Sequence, residues 1–572
     1  VLDWIESVGQ GLSDLVNSYL GPAASFLEEY VWAWPEKAPL LAIVLLGTGL
    51  FVTVRLGFIQ VRGFRHAINI TRGKYDNPDD AGDLNHFQAL TTALSATVGI
   101  GNIAGVAIGI RMGGPGALFW MWLTAFFGMA LKYAECTLAV RYRRVNPDGS
   151  VSGGPMYYIE KGLGPRWKWM AMIFAACAAI SSFGSGNMNQ SNTLATRLET
   201  LTGIPTIYSA LVFAALVALV IIGGIRRIGR VTSILAPGMA ILYVAGAMII
   251  LAMHLEQIPG ALATIVREAF APGPLAGGAM GSLLITVMWG IRRGLFSNEA
   301  GQGSAPIAHA TAKTDEPVRE GLVASLEPFI DTLVICTMTG LVIVLTGVWQ
   351  EKVPQTLGLG DVTMVQVEAA DDETLIRYVE DGLPPAAGEV VARDGTTPGA
   401  TILAYGQVVE GARLVGADGK PWSGSLFLKD DGDEIGVLPG TEEPMVEGRA
   451  VVTGADLTAM GFRNSLGAFG DWIVTLAVVL FAVSTGISWS YYGDRATEYL
   501  FGSQAIPIYR WVFVAFFFLG AILPLRSVWT WGDVALGTMS FPNLIALILL
   551  SGNVAMMTRE YFSRKHVPYE KR

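Results

Sequence analysis

Ser95-Ala96-Thr97-Val98-Gly99-Ile100-Gly101-Asn102-Ile103-Ala104-Gly105 lies inside an otherwise apolar run from Phe87 to Ile110. Glycine is a poor helix filler, costing about 1 kcal/mol relative to alanine in a helix interior. Three glycines and an asparagine clustered in the middle of an apolar run therefore predict a break. In a membrane, the backbone groups freed by such a break must face something other than lipid. A second stretch of this kind, Phe296-Ser297-Asn298-Glu299-Ala300-Gly301, ends another apolar run near Ser282 to Leu295. Two interrupted segments in corresponding positions are the sequence pointer to a binding site of the kind secondary transporters build.

The composition agrees with a membrane setting. The chain of 572 residues is 52% hydrophobic and 15% charged, with a mean hydropathy of +0.46, which is too apolar for a soluble protein of this size. Cys136, Cys177 and Cys336 all fall in apolar runs and read as small core residues. The five histidines show no ligand spacing, so a catalytic metal is not expected.

Residues 1–36 carry an apolar stripe at helical spacing (Trp4, Ile5, Val8, Leu12, Leu15) and predict an interfacial amphipathic helix. Eleven apolar runs come after it: Pro39 to Phe58, Phe87 to Ile110, Gly116 to Val140, Trp167 to Leu194, Ile207 to Ile225, Thr232 to Leu251, Ser282 to Leu295, Leu322 to Trp349, Trp472 to Tyr492, Tyr509 to Leu525 and Val534 to Met557. Read as spans, they predict an all-α polytopic membrane protein of 11 transmembrane helices. Basic residues mark every second loop: Arg62, Arg65, Arg72 and Lys74; Arg141, Arg143 and Arg144; Arg226, Arg227 and Arg230; Lys313 and Arg319; and the chain end. Lysine and arginine concentrate on the cytoplasmic side, which places the N-terminus outside and the C-terminus inside.

A polar segment at 351–456 separates two parts of a membrane domain, 37–350 and 457–572. Residues 351–463 hold 20 acidic against 8 basic side chains, a balance of −12, leaving the rest of the chain near +3. Alternating runs at Glu389 to Arg393, Thr401 to Tyr405 and Ser425 to Leu428, set between Asp-Gly and Pro-Gly turns, predict a small β-rich domain outside the cell. Its acidity reads as solubility. Asp430, Asp431, Asp433 and Glu434 lack the spacing of a calcium loop.

At the first break, backbone amides at a half-helix start favour an anion such as a substrate carboxylate, whereas unwound carbonyls near Ser95 and Val98 suit a small cation. Close helix packing through Gly101 and Gly105 is the plainer alternative for the glycines.

Gly99-Ile100-Gly101-Asn102-Ile103-Ala104-Gly105-Val106-Ala107, Gly153-Gly154-Pro155-Met156-Tyr157-Tyr158-Ile159 and Arg293-Gly294-Leu295-Phe296-Ser297-Asn298-Glu299-Ala300-Gly301 together resemble the alanine or glycine:cation symporter family. Phe183-Gly184-Ser185-Gly186-Asn187 and Ser484-Thr485 with Tyr492-Gly493 add to the likeness, which covers Pro39 to Trp349 and Leu457 to Tyr561. It implies a LeuT-type fold, two inverted five-helix repeats preceded by one extra helix, in a bacterial plasma membrane. The long insertion departs from the compact members.

The resemblance also implies site residues. The substrate carboxylate would meet amides of Gly99 and Gly101 and the Asn102 side chain, and its amine the carbonyls of Thr97 and Phe296. Ser297 and Asn298 would belong to the same site, Asn187 and Gln190 would add polar contacts, and Phe183, Ile487 and Trp489 would wall the side-chain end. Sodium, the co-transported ion, would be caged by carbonyls of Ser95, Val98 and Phe481 with hydroxyls of Ser484 and Thr485. Adjacent Ser and Thr also commonly bond back onto their own helix.

Glu135, Glu299 and Asp331 are ionisable residues inside spans or at a break, and so candidates for coupling or gating. Lys132, Arg292 and Arg293 are the cations expected to pair with them. The expected function is sodium-coupled symport of a small amino acid, alanine or glycine, with the lipid bilayer and the substrate as partners, no organic cofactor and no nucleic acid. A proton-coupled transporter of the same fold and a receptor sensing through the external segment are the alternatives.

Overall fold

The computed structural model describes residues 26–34, 40–146, 150–271, 283–369, 371–375, 388–429, 434–438, 441–522 and 525–568. The amphipathic stripe expected before residue 26 lies outside these, as do Asp430, Asp431 and Asp433. Helices dominate: α1 Leu40–Arg55, α2 Phe64–Thr71, α3 His86–Thr97, α4 Ala104–Gly113, α5 Ala117–Tyr142, α6 Lys168–Phe183, α7 Asn189–Thr202, α8 Thr206–Ile221 and α9 Gly224–Met253. The second half holds α10 Leu283–Asn298, α11 Ala305–His309, α12 Pro317–Ala324, α13 Thr337–Thr346, α14 Gly454–Leu466, α15 Ala468–Phe501, α16 Ile506–Ile522 and α17 Leu525–Ser563.

Among the described residues, seven helical segments are long and apolar enough to cross a membrane, or eight when α3 and α4 count as one bent span. The other three apolar runs form α1, α8 and α10, of 16 residues each. At 1.5 Å per residue each is about 24 Å long, short of the roughly 30 Å hydrocarbon core. By length and composition, eight of the eleven apolar runs therefore pass as spans among the described residues.

The first break sits where the glycines predict it. Asn85 starts α3 with a capping box: its side chain accepts from Gln88 N at 2.8 Å and Gln88 Oε1 accepts from Asn85 N at 3.2 Å. The helix stops at Thr97, Gly99 is extended, and a 3-10 turn, Ile100–Asn102, leads into α4 at a bend of 60°. Only glycine fits at 99, because a Cβ there would stand 2.5 Å from Thr485 Oγ1.

The second break comes after Asn298. Glu299 adopts φ 55°, left-handed and costing about 1–2 kcal/mol for a residue with a Cβ, and Gly301 and Gly303 adopt φ 86° and 85°. Freed groups find partners: Asn298 Oδ1 accepts from Ala300 N at 3.0 Å, and Gln302 donates to Leu295 O at 2.8 Å. The breaks meet, since a Cβ on Gly101 would lie 3.1 Å from the Phe296 ring and 3.3 Å from Ser297 Cα.

The described residues of 352–451 include nine strands: β1 Lys352–Leu357, β2 Thr363–Val365, β3 Gly388–Ala392, β4 Thr401–Ala404, β5 Gln407–Val408, β6 Glu410–Val415, β7 Gly424–Lys429, β8 Glu434–Val437 and β9 Met445–Val451. They build three antiparallel sheets, ordered β1-β9-β6, β2-β4-β5 and β8-β7-β3. Leu357, Met364, Leu426 and Val446 share an apolar cluster separate from that of the helices. First and last strands pair, Lys352 with Val451 and Leu357 with Val446, so the chain leaves and rejoins the helices at one place.

Candidate functional site

A small cavity lies between the two breaks, lined by Ala96, Thr97, Gly99, Gly101, Ser185, Gln190, Phe296, Glu299, Trp489 and Leu536. Gln190 Oε1 accepts from Ile100 N at 3.2 Å, using an amide that the broken helix leaves without an intrahelical partner. Trp489 packs closely on Gly186, where a Cβ would stand 2.2 Å from Trp489 Cγ. Its Nε1 donates to Glu299 Oε1 at 2.8 Å, while Ser304 Oγ donates to Glu299 Oε2 at 2.5 Å. Glu299 therefore presents a fixed, two-donor carboxylate to the cavity.

Asn102 holds the first break from within. Its Oδ1 accepts from Gly99 N at 2.9 Å, and its Nδ2 donates to Asp331 Oδ1 at 2.6 Å and Ser297 Oγ at 3.2 Å. Ser297 donates to Asp331 Oδ2 at 2.6 Å, and Cys336 Sγ stands 3.3 Å from Asn102 Nδ2. Asn298 Nδ2 turns to Thr332. Asn102, Ser297 and Asn298 thus serve as struts behind the cavity wall. After the 3-10 turn hydroxyls reach the carbonyls, Asn102 O accepting from Thr339 at 2.7 Å and Ile103 O from Thr458 at 3.0 Å.

The expected cation ligands converge in part. Ser95 Oγ donates to Ser484 O at 3.1 Å and contacts Ser484 Oγ, and Thr485 Oγ1 donates to Ser95 O at 3.2 Å. The hydroxyl pair on α15 therefore faces the carbonyl side of the break. Val98 and Phe481 are buried close by in sequence, at the end of α3 and on α15.

Two of the expected wall residues, Phe183 and Ile487, and the expected polar contact Asn187 are not among the residues lining the cavity. Phe183 packs on Tyr509, Phe513 and Phe516, with ring centroids 5.2, 6.1 and 4.8 Å away. Asn187 Nδ2 donates to Phe513 O at 2.7 Å, and Ile487 is buried in the apolar core away from the cavity lining. For Phe183 and Asn187 the cause is a π-turn at Gly184–Met188. One extra residue in a helix rotates the two flanking helical segments by about 100° relative to each other. The same turn brings in Ser185, which sequence reasoning missed.

The charged residues also pair differently from the expectation. Lys132 pairs with Glu327 at 3.0 Å, and Arg292 and Arg293 with Asp533 at 2.6 and 2.8 Å. Glu135 is held by Asn543, whose amide also donates to Gly301 O at 2.8 Å, and Asp331 accepts from Asn102, Ser297 and Thr332. Glu327, Asp533 and Asn543 had no local signal, because each partner is distant in sequence.

A model of the sodium:alanine symporter family matches residues 22–370 and 441–571, leaving out the middle of the strand-rich segment. The chain is similar to the sodium/alanine symporter AgcS of Methanococcus maripaludis, 38% identical over 537 residues, covering 94% of this chain and 96% of that protein. It is also similar to the amino-acid carrier protein AlsT of Bacillus subtilis, 29% identical with 96% and 94% covered. The probable sodium/glutamine symporter GlnT of the same organism is 30% identical, with 92% and 88% covered. The chain belongs to the sodium:alanine symporter family and is a multi-pass membrane protein that transports amino acids with a cation, not an enzyme.

Proposed function

We propose that the protein is a sodium-driven symporter of alanine or glycine that works by alternating access in a bacterial plasma membrane. The carrying observation is the cavity itself, closed in by Phe296, Trp489 and Gln190 between two helix breaks. In this reading the substrate carboxylate displaces Gln190 from the amide of Ile100 and gains the positive end of the 3-10 turn. Its ammonium group meets the Thr97 and Phe296 carbonyls and the carboxylate of Glu299. Sodium enters between the Ser95 and Val98 carbonyls and Ser484, Thr485 and Phe481, separating hydroxyls that otherwise bond across the gap.

Ligands that join α3 and α4 to α10 and α15 favour the same closed arrangement, so each raises the affinity for the other. The architecture proposed is a LeuT-like pair of five-helix repeats after one extra helix, with eleven spans, the shorter helices α1, α8 and α10 among them. Alternation of the basic loops supports a strand-rich segment outside the cell and a cytoplasmic C-terminus.

Substrate size is tested by competition for sodium-dependent binding of labelled alanine to the purified protein. Alanine and glycine are expected to compete and glutamine not to, since the cavity between the breaks is small. Glutamine as the strongest competitor would contradict the size argument.

A further inference from the structure

Six ionisable residues outside the cavity form one continuous chain on the side that the basic loops assign to the cytoplasm. His86 opens α3, the inner half of the first broken helix, and His309 closes α11, the short helix beyond the second break. Glu320 of α12 stands between them, one carboxylate oxygen against His86 Nδ1 and the other against His309 Nδ1. His309 Nε2 continues to Glu327, which accepts from Lys132 Nζ of α5 at 3.0 Å. At the other end His86 Nε2 faces Asp76 Oδ1 across 3.9 Å, and both atoms are buried without a hydrogen bond. Asp76 is 31% exposed, and the other five residues are at most 1% exposed.

The order along the chain is carboxylate, imidazole, carboxylate, imidazole, carboxylate, ammonium. With both rings protonated the charges alternate in sign. Loss of either proton leaves two carboxylates flanking a neutral ring inside the protein, an uncompensated arrangement. A mechanical tie alone would be served by arginine, whereas protonated imidazole donates from both ring nitrogens and changes charge near neutral pH. Burial holds the Asp76 carboxyl above its ordinary range, as suits a mouth that takes up protons. Arg319 faces Asp76 and Arg143 faces Glu320, while Glu135, Glu299 and Cys136 face Lys132, and Tyr492 faces Glu327.

We propose that this chain is a proton-binding site that latches the cytoplasmic half of the protein. It keeps its protons while α3, α11 and α12 are packed together, and gives one to water when α3 moves away and that side opens. A site that holds protons more tightly closed than open favours closure at low pH, and that advantage fades as pH rises. The opening invoked rests on the alternating-access reading.

The test is amide hydrogen exchange of the full chain in lipid nanodiscs, corrected for the intrinsic pH dependence of exchange. Protection at the start of α3 is expected to fall roughly ten-fold from about pH 6 to about pH 9, as the linked proton is lost. Glu320→Gln is expected to be weakly protected at both. His86→Gln leaves Glu320, His309 and Glu327 in contact, and is expected to remain folded with a flattened pH response. Equal wild-type protection at both pH values, or an unchanged response in the two variants, would overturn the latch. The readout needs no substrate, so a failure of alanine uptake would count against the symport reading and not against this one.

Discussion

Asn102 Nδ2 lies 2.6 Å from Asp331 Oδ1, tying the 3-10 turn of the first break to the helix that also binds Ser297 at the second. One side chain thereby sets the spacing of both breaks, and the cavity between them depends on that spacing.

Asn102→Ala removes the cap on Gly99 and a donor to a buried carboxylate. A buried polar group left unpaired costs about 1–3 kcal/mol, more when charged. We expect a lower melting temperature for the purified protein together with weaker alanine binding, and Asp331→Asn, which removes the charge as well, to be milder in the melt. Wild-type melting and binding in Asn102→Ala would show that the strut carries no strain.

Thr485→Ala takes one oxygen from the proposed sodium cage. A hydrogen bond or ligand contact to a charge is worth about 1.5–3 kcal/mol, so the sodium concentration for half-maximal uptake should rise roughly ten-fold or more. Substrate affinity at saturating sodium should be little changed. An unaltered sodium dependence would remove Thr485 from the cage.

Gly186→Ala pushes a methyl group into the indole of Trp489. Overpacking of this kind costs about 1–3 kcal/mol. The displaced indole also releases Glu299, so uptake should fall further than stability does. Uptake rates and thermal melts of the same preparation compare the two losses.

The strand-rich segment is proposed to be separable from transport. Because Leu357 pairs with Val446, a two-residue Asn-Gly turn can join β1 to β9 in place of residues 358–445. Sodium-driven uptake should survive this deletion. Its loss in a folded variant would place the segment within the transport cycle.

The two breaks were legible because glycine, asparagine and a left-handed position leave marks in sequence, and the strands near 389, 401 and 425 because alternation and Gly-containing turns do the same. The walls of the cavity were less so. A π-turn has no residue signature, and the one at Gly184–Met188 moved Phe183 and Asn187 off the expected face while bringing Ser185 onto it. The partners of Lys132 and Arg293 were equally hidden, since ion pairs across 195 and 240 residues are set by packing rather than by local pattern. Helix lengths also qualify the hydropathy reading, because an apolar run such as Ile207 to Ile225 continues past the end of its helix at Ile221.

Uptake of labelled alanine into proteoliposomes, driven in turn by an inward sodium gradient, an inward proton gradient and neither, tests the central claim most directly. Accumulation above the external concentration with the sodium gradient alone is the predicted result. Accumulation driven equally well by the proton gradient in the absence of sodium would contradict it.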